Sequence, residues 1–253
     1  AAAGNYDMKG VSVTTTGLVQ STSGAGIKAT TDYGTVTLNV NAVTANTQAI
    51  YASAGAAGGD MSVTATGQVT GGSGGVHVKN MTGGGAMTLS FAGVSTGSGT
   101  AVNIDQNASR NLQFQATGAI TSNTWAGIDV DATNAGGGNV TLTFAGVQSA
   151  KDAVNVSKAG SGNVQVITSG AVSSGVGAGV TVSHSGSGFG DTYVSLAGVQ
   201  AATEGVSINH TTTGQVTLKS TGNITSNTTK GVVVAAGSAT TGVALTLTGV
   251  SAQ

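Results

Sequence analysis

Along this chain one apolar position recurs every 26 residues, through Ile50, Val76, Val102, Ile128, Val154, Val180, Val206 and Val232. Two residues after each stands a second small or branched aliphatic, at Ala52, Val78, Ile104, Val130, Val156, Val182, Ile208 and Val234, and an earlier copy, Ile27 and Ala29, lies 23 residues upstream. The residue between the two is polar in most copies, so each pair reads as the inward side of a short strand with one buried face. A fixed period of this length marks a solenoid, in which each repeat buries its apolar face on its neighbours.

A second strand precedes each of these, and its ten copies read Val11-Ser-Val13, Val36-Thr-Leu38, Met61-Ser-Val63, Met87-Thr-Leu89, Leu112-Gln-Phe114, Val140-Thr-Leu142, Val164-Gln-Val166, Thr192-Tyr-Val194, Val216-Thr-Leu218 and Val243-Ala-Leu245. Between the two lies a third short element. Odd copies end it at Gly17-Leu-Val19, Gly67-Gln-Val69, Gly118-Ala-Ile120, Gly170-Ala-Val172 and Gly222-Asn-Ile224, whereas even copies shorten it to Ala-Gly-Val, as at Ala92-Gly-Val94, Ala145-Gly-Val147 and Ala197-Gly-Val199. The underlying repeat is therefore a pair of coils, with strand starts at 61, 112, 164 and 216 lying 51, 52 and 52 residues apart.

Three strands per coil of about 26 residues, joined by Gly-rich corners, predict an all-β fold. We expect a right-handed parallel β-helix of about ten coils forming one β-solenoid domain over 1–253 without end caps. At a strand spacing of about 4.8 Å this gives a rod about 48 Å long. Left-handed hexapeptide solenoids need an apolar residue every six positions and leucine-rich repeats need Leu-x-x-Leu-x-Leu; neither pattern is present. No window shows a 3.6-residue period, and 43 of 253 residues are Gly, which excludes long helices.

Composition narrows the class of partner. Charged residues make up 7%, with 8 basic against 9 acidic, so there is no field for nucleic acid or an anionic membrane. No apolar run approaches the roughly 20 residues of a membrane helix, and we expect no direct membrane insertion. We expect any export leader to have been removed or to lie outside this segment. Cysteine is absent, so no thiolate chemistry is available, and proline is absent too, as suits strands whose N–H groups all enter ladders. The corners Gly58 to Asp60, Gly83 to Ala86, Gly136 to Asn139, Gly160 to Asn163 and Gly186 to Asp191 are expected to supply positive φ where the chain turns. No Lys-Ser/Thr and no helix follows any of them, which removes a phosphate-loop reading.

The stretches Gly118-Ala-Ile-Thr-Ser-Asn-Thr-Trp-Ala-Gly-Ile-Asp-Val130, Gly137-Gly-Asn-Val-Thr-Leu-Thr143 and Gly222-Asn-Ile-Thr-Ser-Asn-Thr-Thr-Lys-Gly-Val-Val-Val234 resemble the passenger domains of bacterial autotransporters and filamentous-haemagglutinin-like adhesins. The resemblance runs along nearly the whole chain and is specific for the fold rather than for one activity. It implies a β-helical surface protein, extracellular or on the outer face of a bacterial cell, with scarce cysteine suited to export. No translocator barrel, protease module or Arg-Gly-Asp tripeptide accompanies it.

Candidate chemistry has to be sought in ladders, because residues one coil apart are neighbours. The outward positions of the 26-residue strand bring Asp105, Asp129 and Asp131 into one patch with Asn103, Asn155 and Lys79. Such oxygen ligands are the candidates for calcium, although the expected state is a solvated acidic patch, and no cofactor is implied. His184 and His210, also 26 apart, extend a line through Asn80, Gln106 and Lys158 that we expect on the surface. Glycoside hydrolysis needs paired carboxylates in a cleft, and lyase chemistry needs clustered bases; one Arg and 4% aromatics supply neither, so no enzyme is expected. The reading is a structural or adhesive rod. An alternative is ice binding, from the outward rows Ser12/Thr14, Thr37/Asn39, Ser62/Thr64, Thr88/Ser90 and Thr141/Thr143. Gln113, Gln115, Ile167, Tyr193 and Lys219 interrupt that array. The end coils expose inward aliphatics, Val11 and Val13 at one end and Leu245, Leu247 and Val250 at the other. These are the candidates for head-to-tail self-association into a filament, or for continuation of the same chain.

Overall fold

The computed structural model describes residues 10–133, 136–227 and 230–253. Every described strand pairing is parallel, and no described residue is helical. The chain winds into a parallel β-helix with three ladders. The first sheet stacks the inward residues Val11, Val36, Met61, Met87, Leu112, Val140, Val164, Thr192, Val216 and Val243. The second stacks Val19, Val43, Val69, Val94, Ile120, Val147, Val172, Val199, Ile224 and Val250. In the third, the 26-residue series pairs without a slip from Ile27 to Val232. Ten, ten and nine strands bound about nine complete turns, one fewer than the count of repeats suggests, because each turn needs two strands to define it.

Alternation of apolar and polar residues is what closes the coil, since a one-residue slip would turn every aliphatic outward. The interior is the predicted one: of the eighteen inward residues of the third sheet, all are buried except Val232 and Val234 in the last coil, which are half-buried. Central coils hold the bulkiest side chains, Phe91, Phe114 and Phe144, with the Phe91 and Phe114 rings 6.0 Å apart. Burial of each such aliphatic or aromatic contributes about 1.5–3 kcal/mol, spread evenly down the rod.

Two details differ from expectation. Strands run through some corners unbroken, as Ile27–Val40 and Gln48–Gly71, because small residues let the backbone bend while still pairing. Positive φ is also rarer than the Gly content suggests: among the described residues it occurs at Gly34, Gly83, Gly99, Gly160, Gly162 and Gly186, and not at 58–60 or 136–139. Glycine at those corners answers crowding instead. A Cβ on Gly138 would lie 1.9 Å from the Arg110 carbonyl oxygen of the coil before it.

The pairing of coils has a structural cause at the first corner, between the first and second sheets. From the last inward residue of the first sheet to the inward residue of the second, odd coils take six steps (13→19, 63→69, 114→120, 166→172, 218→224) and even coils five (38→43, 89→94, 142→147, 194→199, 245→250). The extra residue appears as a register shift at this corner, for example between Phe91 and Val94 and between Phe144 and Gly146. Where the longer corner crosses the shorter one the backbones nearly touch. A Cβ on Gly118, Gly170 or Gly222 would stand 2.0, 2.0 and 1.9 Å from the carbonyl oxygens of Ala92, Ala145 and Ala197.

Candidate functional site

The third-sheet strands end on a line of side chains that the structure places inside the rod. Asn80, Gln106, Lys158, His184 and His210 are all buried, at 0–1% exposure. This corrects the expected surface ladder. Parity explains it: Val180 and Val182 point inward, so His184, two residues on, must also point inward. The third corner covers these groups and supplies their partners. Lys158 Nζ donates to the carbonyls of Ala159 (2.6 Å) and Ser161 (2.8 Å). Asn80 Nδ2 donates to the Gly85 carbonyl at 2.6 Å, and Gln106 Nε2 reaches the carbonyls of Arg110 and Asn111 at 3.4 Å each.

The two histidines stack edge to face, with ring centroids 5.1 Å apart. Thr192 Oγ1 lies between them, 3.0 Å from Nδ1 of each. Thr212 Oγ1 sits 3.1 Å from His210 Nε2 and donates to the Gly190 carbonyl at 3.1 Å. Burial pulls the Lys158 ammonium down to about 8. It also pulls His184 down to about 4, with the charges of His210 and Lys158 acting in the same direction. His210 is lowered as well, by burial, against the attraction of Asp191. A sequence signal for this network exists: Thr192 is the one hydroxyl in an otherwise aliphatic inward ladder of the first sheet.

A second ladder escaped the sequence reading because it lies where glycine drew attention. The residue just before each first-sheet strand is often Asn or Asp, and its side-chain oxygen accepts the N–H of the equivalent residue in the next coil. Thus Ala86 N–H donates to Asp60 Oδ1 (2.8 Å), Asn139 N–H to Asn111 (3.0 Å), Asn163 N–H to Asn139 (2.8 Å), Asp191 N–H to Asn163 (2.9 Å) and Gln215 N–H to Asp191 (2.8 Å). These bonds carry the ladder around a corner where backbone pairing lapses.

The acidic patch is assembled in register as expected, with Asp105 beside Asp131 and Asp129 beside Asn103 and Asn155. Its three carboxylates have separate partners. Asp105 Oδ2 lies 3.1 Å from His77 Nε2, Asp129 Oδ1 accepts Asn155 Nδ2 at 2.8 Å, and Asp131 Oδ1 accepts the N–H and hydroxyl of Thr133 at 2.9 and 2.6 Å. Among the described residues no group of three or more His, Cys, Asp or Glu side chains is placed to hold a metal ion. His77, absent from the sequence reading of this patch, continues it toward Tyr51, whose ring meets the imidazole edge-on at 5.2 Å, and Lys28 lies 6.0 Å from the Tyr51 ring. Elsewhere Lys151 Nζ caps the Trp125 ring at 3.1 Å.

The first sheet presents its outward Ser, Thr, Asn and Gln side chains in straight rows, with strand pairing unshifted from Val11 to Asn39 and onward through Val63 and Leu89. At the ends of the rod, Leu245 and Val250 are exposed while Val11, Val13 and Leu247 are half-buried against the core. Searches against family models, curated proteins and solved structures each found no match.

Proposed function

We propose that this chain is a non-enzymatic β-solenoid rod with a structural or adhesive role at the outer surface of a bacterium or in its surroundings. The carrying observation is the uninterrupted register of three parallel ladders from one end of the rod to the other, which makes a stiff object with long, regular outer faces. Three further features support it. The stacked pair His184 and His210 is buried in the interior, the three clustered aspartates are each engaged in separate hydrogen bonds, and the sequence motifs resemble those of bacterial surface β-helices. The uncovered aliphatics of the last coil, above all Leu245 and Val250, offer a matching edge to further coils of a longer chain or to the first coil of a second copy, and so to a filament.

The test joins assembly and turnover. Sedimentation and electron microscopy of the purified chain should show rods whose length grows with concentration, and Val11→Lys with Val13→Lys should stop that growth while the strand signal persists. Hydrolase or lyase activity on polysaccharides that disappears when Asp105, Asp129 and Asp131 are changed together would overturn the non-enzymatic reading. A second reading, ice binding, is favoured by one observation: over four coils the outward residues Ser12/Thr14, Thr37/Asn39, Ser62/Thr64 and Thr88/Ser90 form an unbroken small polar array. Thermal hysteresis abolished by Thr64→Tyr and Thr88→Tyr would establish it.

A further inference from the structure

The hydrogen bonds around the two buried histidines leave little freedom in where their protons sit. Thr212 donates its hydroxyl proton to the Gly190 carbonyl, so at 3.1 Å from His210 it accepts, and His210 carries its proton on Nε2. With that ring neutral, His210 Nδ1 is an acceptor and takes the Thr192 hydroxyl proton at 3.0 Å. Thr192 then accepts from His184, which carries its proton on Nδ1. The chain runs one way, from His184 through Thr192, His210 and Thr212 to Gly190. At its head stands His184 Nε2, a buried nitrogen that makes no well-formed hydrogen bond. The Gly160 backbone favours the protonated form of this ring.

These bonds tie the ends of two third-sheet strands, at His184 and His210, to the start of the first-sheet strand at Thr192, and so close over the corner between them. Residues 159–163, 185–191 and 211–214 form the third corner in three successive coils, and they are also linked by Gly160 N–H to Ser185, Gly162 N–H to Phe189, Asp191 N–H to Asn163 Oδ1, Thr213 N–H to Gly188 and Gly190 N–H to Thr213. We propose that His184, Thr192, His210 and Thr212 form an acid-sensitive latch: with both rings neutral it holds the corners at 185–191 and 211–214 closed, and proton uptake releases them. The groups that face the rings decide its direction. Lys158 in the coil before places a cation beside His184, His210 lies beside it in the next coil, Asp191 is the one anion acting on both rings, and Ala236 follows His210 in register. A second positive charge in this interior therefore meets one already present, while an opened corner hydrates it.

The sign follows from the lowered histidines. A base whose folded pKa lies below its free value stabilises the closed form fully above the free value and loses that contribution as pH falls toward the folded one. For His184 the window runs from 6.5 down to about 4. The closed corner should lose about a hundredfold in equilibrium constant between pH 7 and pH 4 from this group alone.

The experiment uses the full chain with His77→Gln, which leaves two imidazoles to observe. At pH 7 the ring ¹⁵N shifts should show His184 protonated on Nδ1 and His210 on Nε2, and both should titrate below the ordinary imidazole range. Hydrogen exchange, corrected for intrinsic rates, should show protection of 185–191 and 211–214 falling about a hundredfold by pH 4 while residues 36–40 keep theirs. Lys158→Met, which removes a cation that holds His184 down, should raise the His184 titration and shrink the loss of protection, and the wild-type chain alone suffices should this variant fail to fold. The opposite tautomers at pH 7, or corners that stay protected to pH 4, would overturn the proposal.

Discussion

Val154→Asp tests the inward register most directly. Val154 is fully buried and lies in register between Ile128 and Val180. Replacing it forfeits roughly 1.5–3 kcal/mol of aliphatic burial. The new carboxyl has only aliphatic ladder neighbours, so it is held as the neutral acid; doing so at pH 7, about 3 units above its ordinary value, costs about 4 kcal/mol more. The sum, roughly 5–7 kcal/mol, rivals the net stability of a whole ordinary domain, about 5–15 kcal/mol. Because each coil touches only its neighbours, the damage should be local, splitting one melting transition into two as the blocks on either side of the lesion unfold separately. The comparison is Thr181→Asp, an outward residue paired with Asn155 and Ser207, which should cost no more than about 0.5 kcal/mol. Asn155→Asp is a poorer control, since it would set a carboxylate against Asp129, to which Asn155 now donates. Circular dichroism melts would record both variants, and equal melting temperatures would refute the assignment of inside and outside.

Gly170→Ala should lower the melting temperature clearly, since its Cβ would lie 2.0 Å from the Ala145 carbonyl oxygen, whereas Gly17→Ala, with nothing within 4 Å, should be neutral or slightly stabilising. Asn139→Ala removes a bonded side-chain oxygen from the corner ladder and should cost about 1 kcal/mol in urea titrations, while Asn139→Asp, which keeps an acceptor, should cost less. Relative to Lys158→Met, the wild-type chain should gain stability as pH rises from about 8 to 10.5, because over that window the unfolded chain holds a proton the folded one has released. A flat difference across that range would contradict the buried ammonium.

Most of the fold was legible because a solenoid repeats its own evidence: a single Val at 26-residue spacing says little, but Val76, Val102, Val154 and Val180 sharing one parity fix a sheet. The histidine line was misread for the converse reason. Its residues are polar, and polarity suggested the surface, although the parity that placed Val180 and Val182 inside applies equally to His184. Length alternation between odd and even corners was visible in the sequence, yet its cause was not, because the close approach of Gly118 to the Ala92 carbonyl exists only once coils are stacked. Likewise, Asn111, Asn139 and Asn163 look like ordinary turn residues until each is seen to serve the coil above rather than its own.

The alternating first corner also bears on how such a rod can change length. Each six-step coil after the first lies on a five-step one, and Gly118, Gly170 and Gly222 fit against the shorter coil's carbonyl. Excising one coil would bring two corners of the same kind face to face and remove that fit, whereas excising or duplicating two in succession, a block of about 52 residues, restores every junction. The molecule is thus built in modular quanta of two, and insertions or deletions of even numbers of coils should preserve its junctions where odd numbers would not.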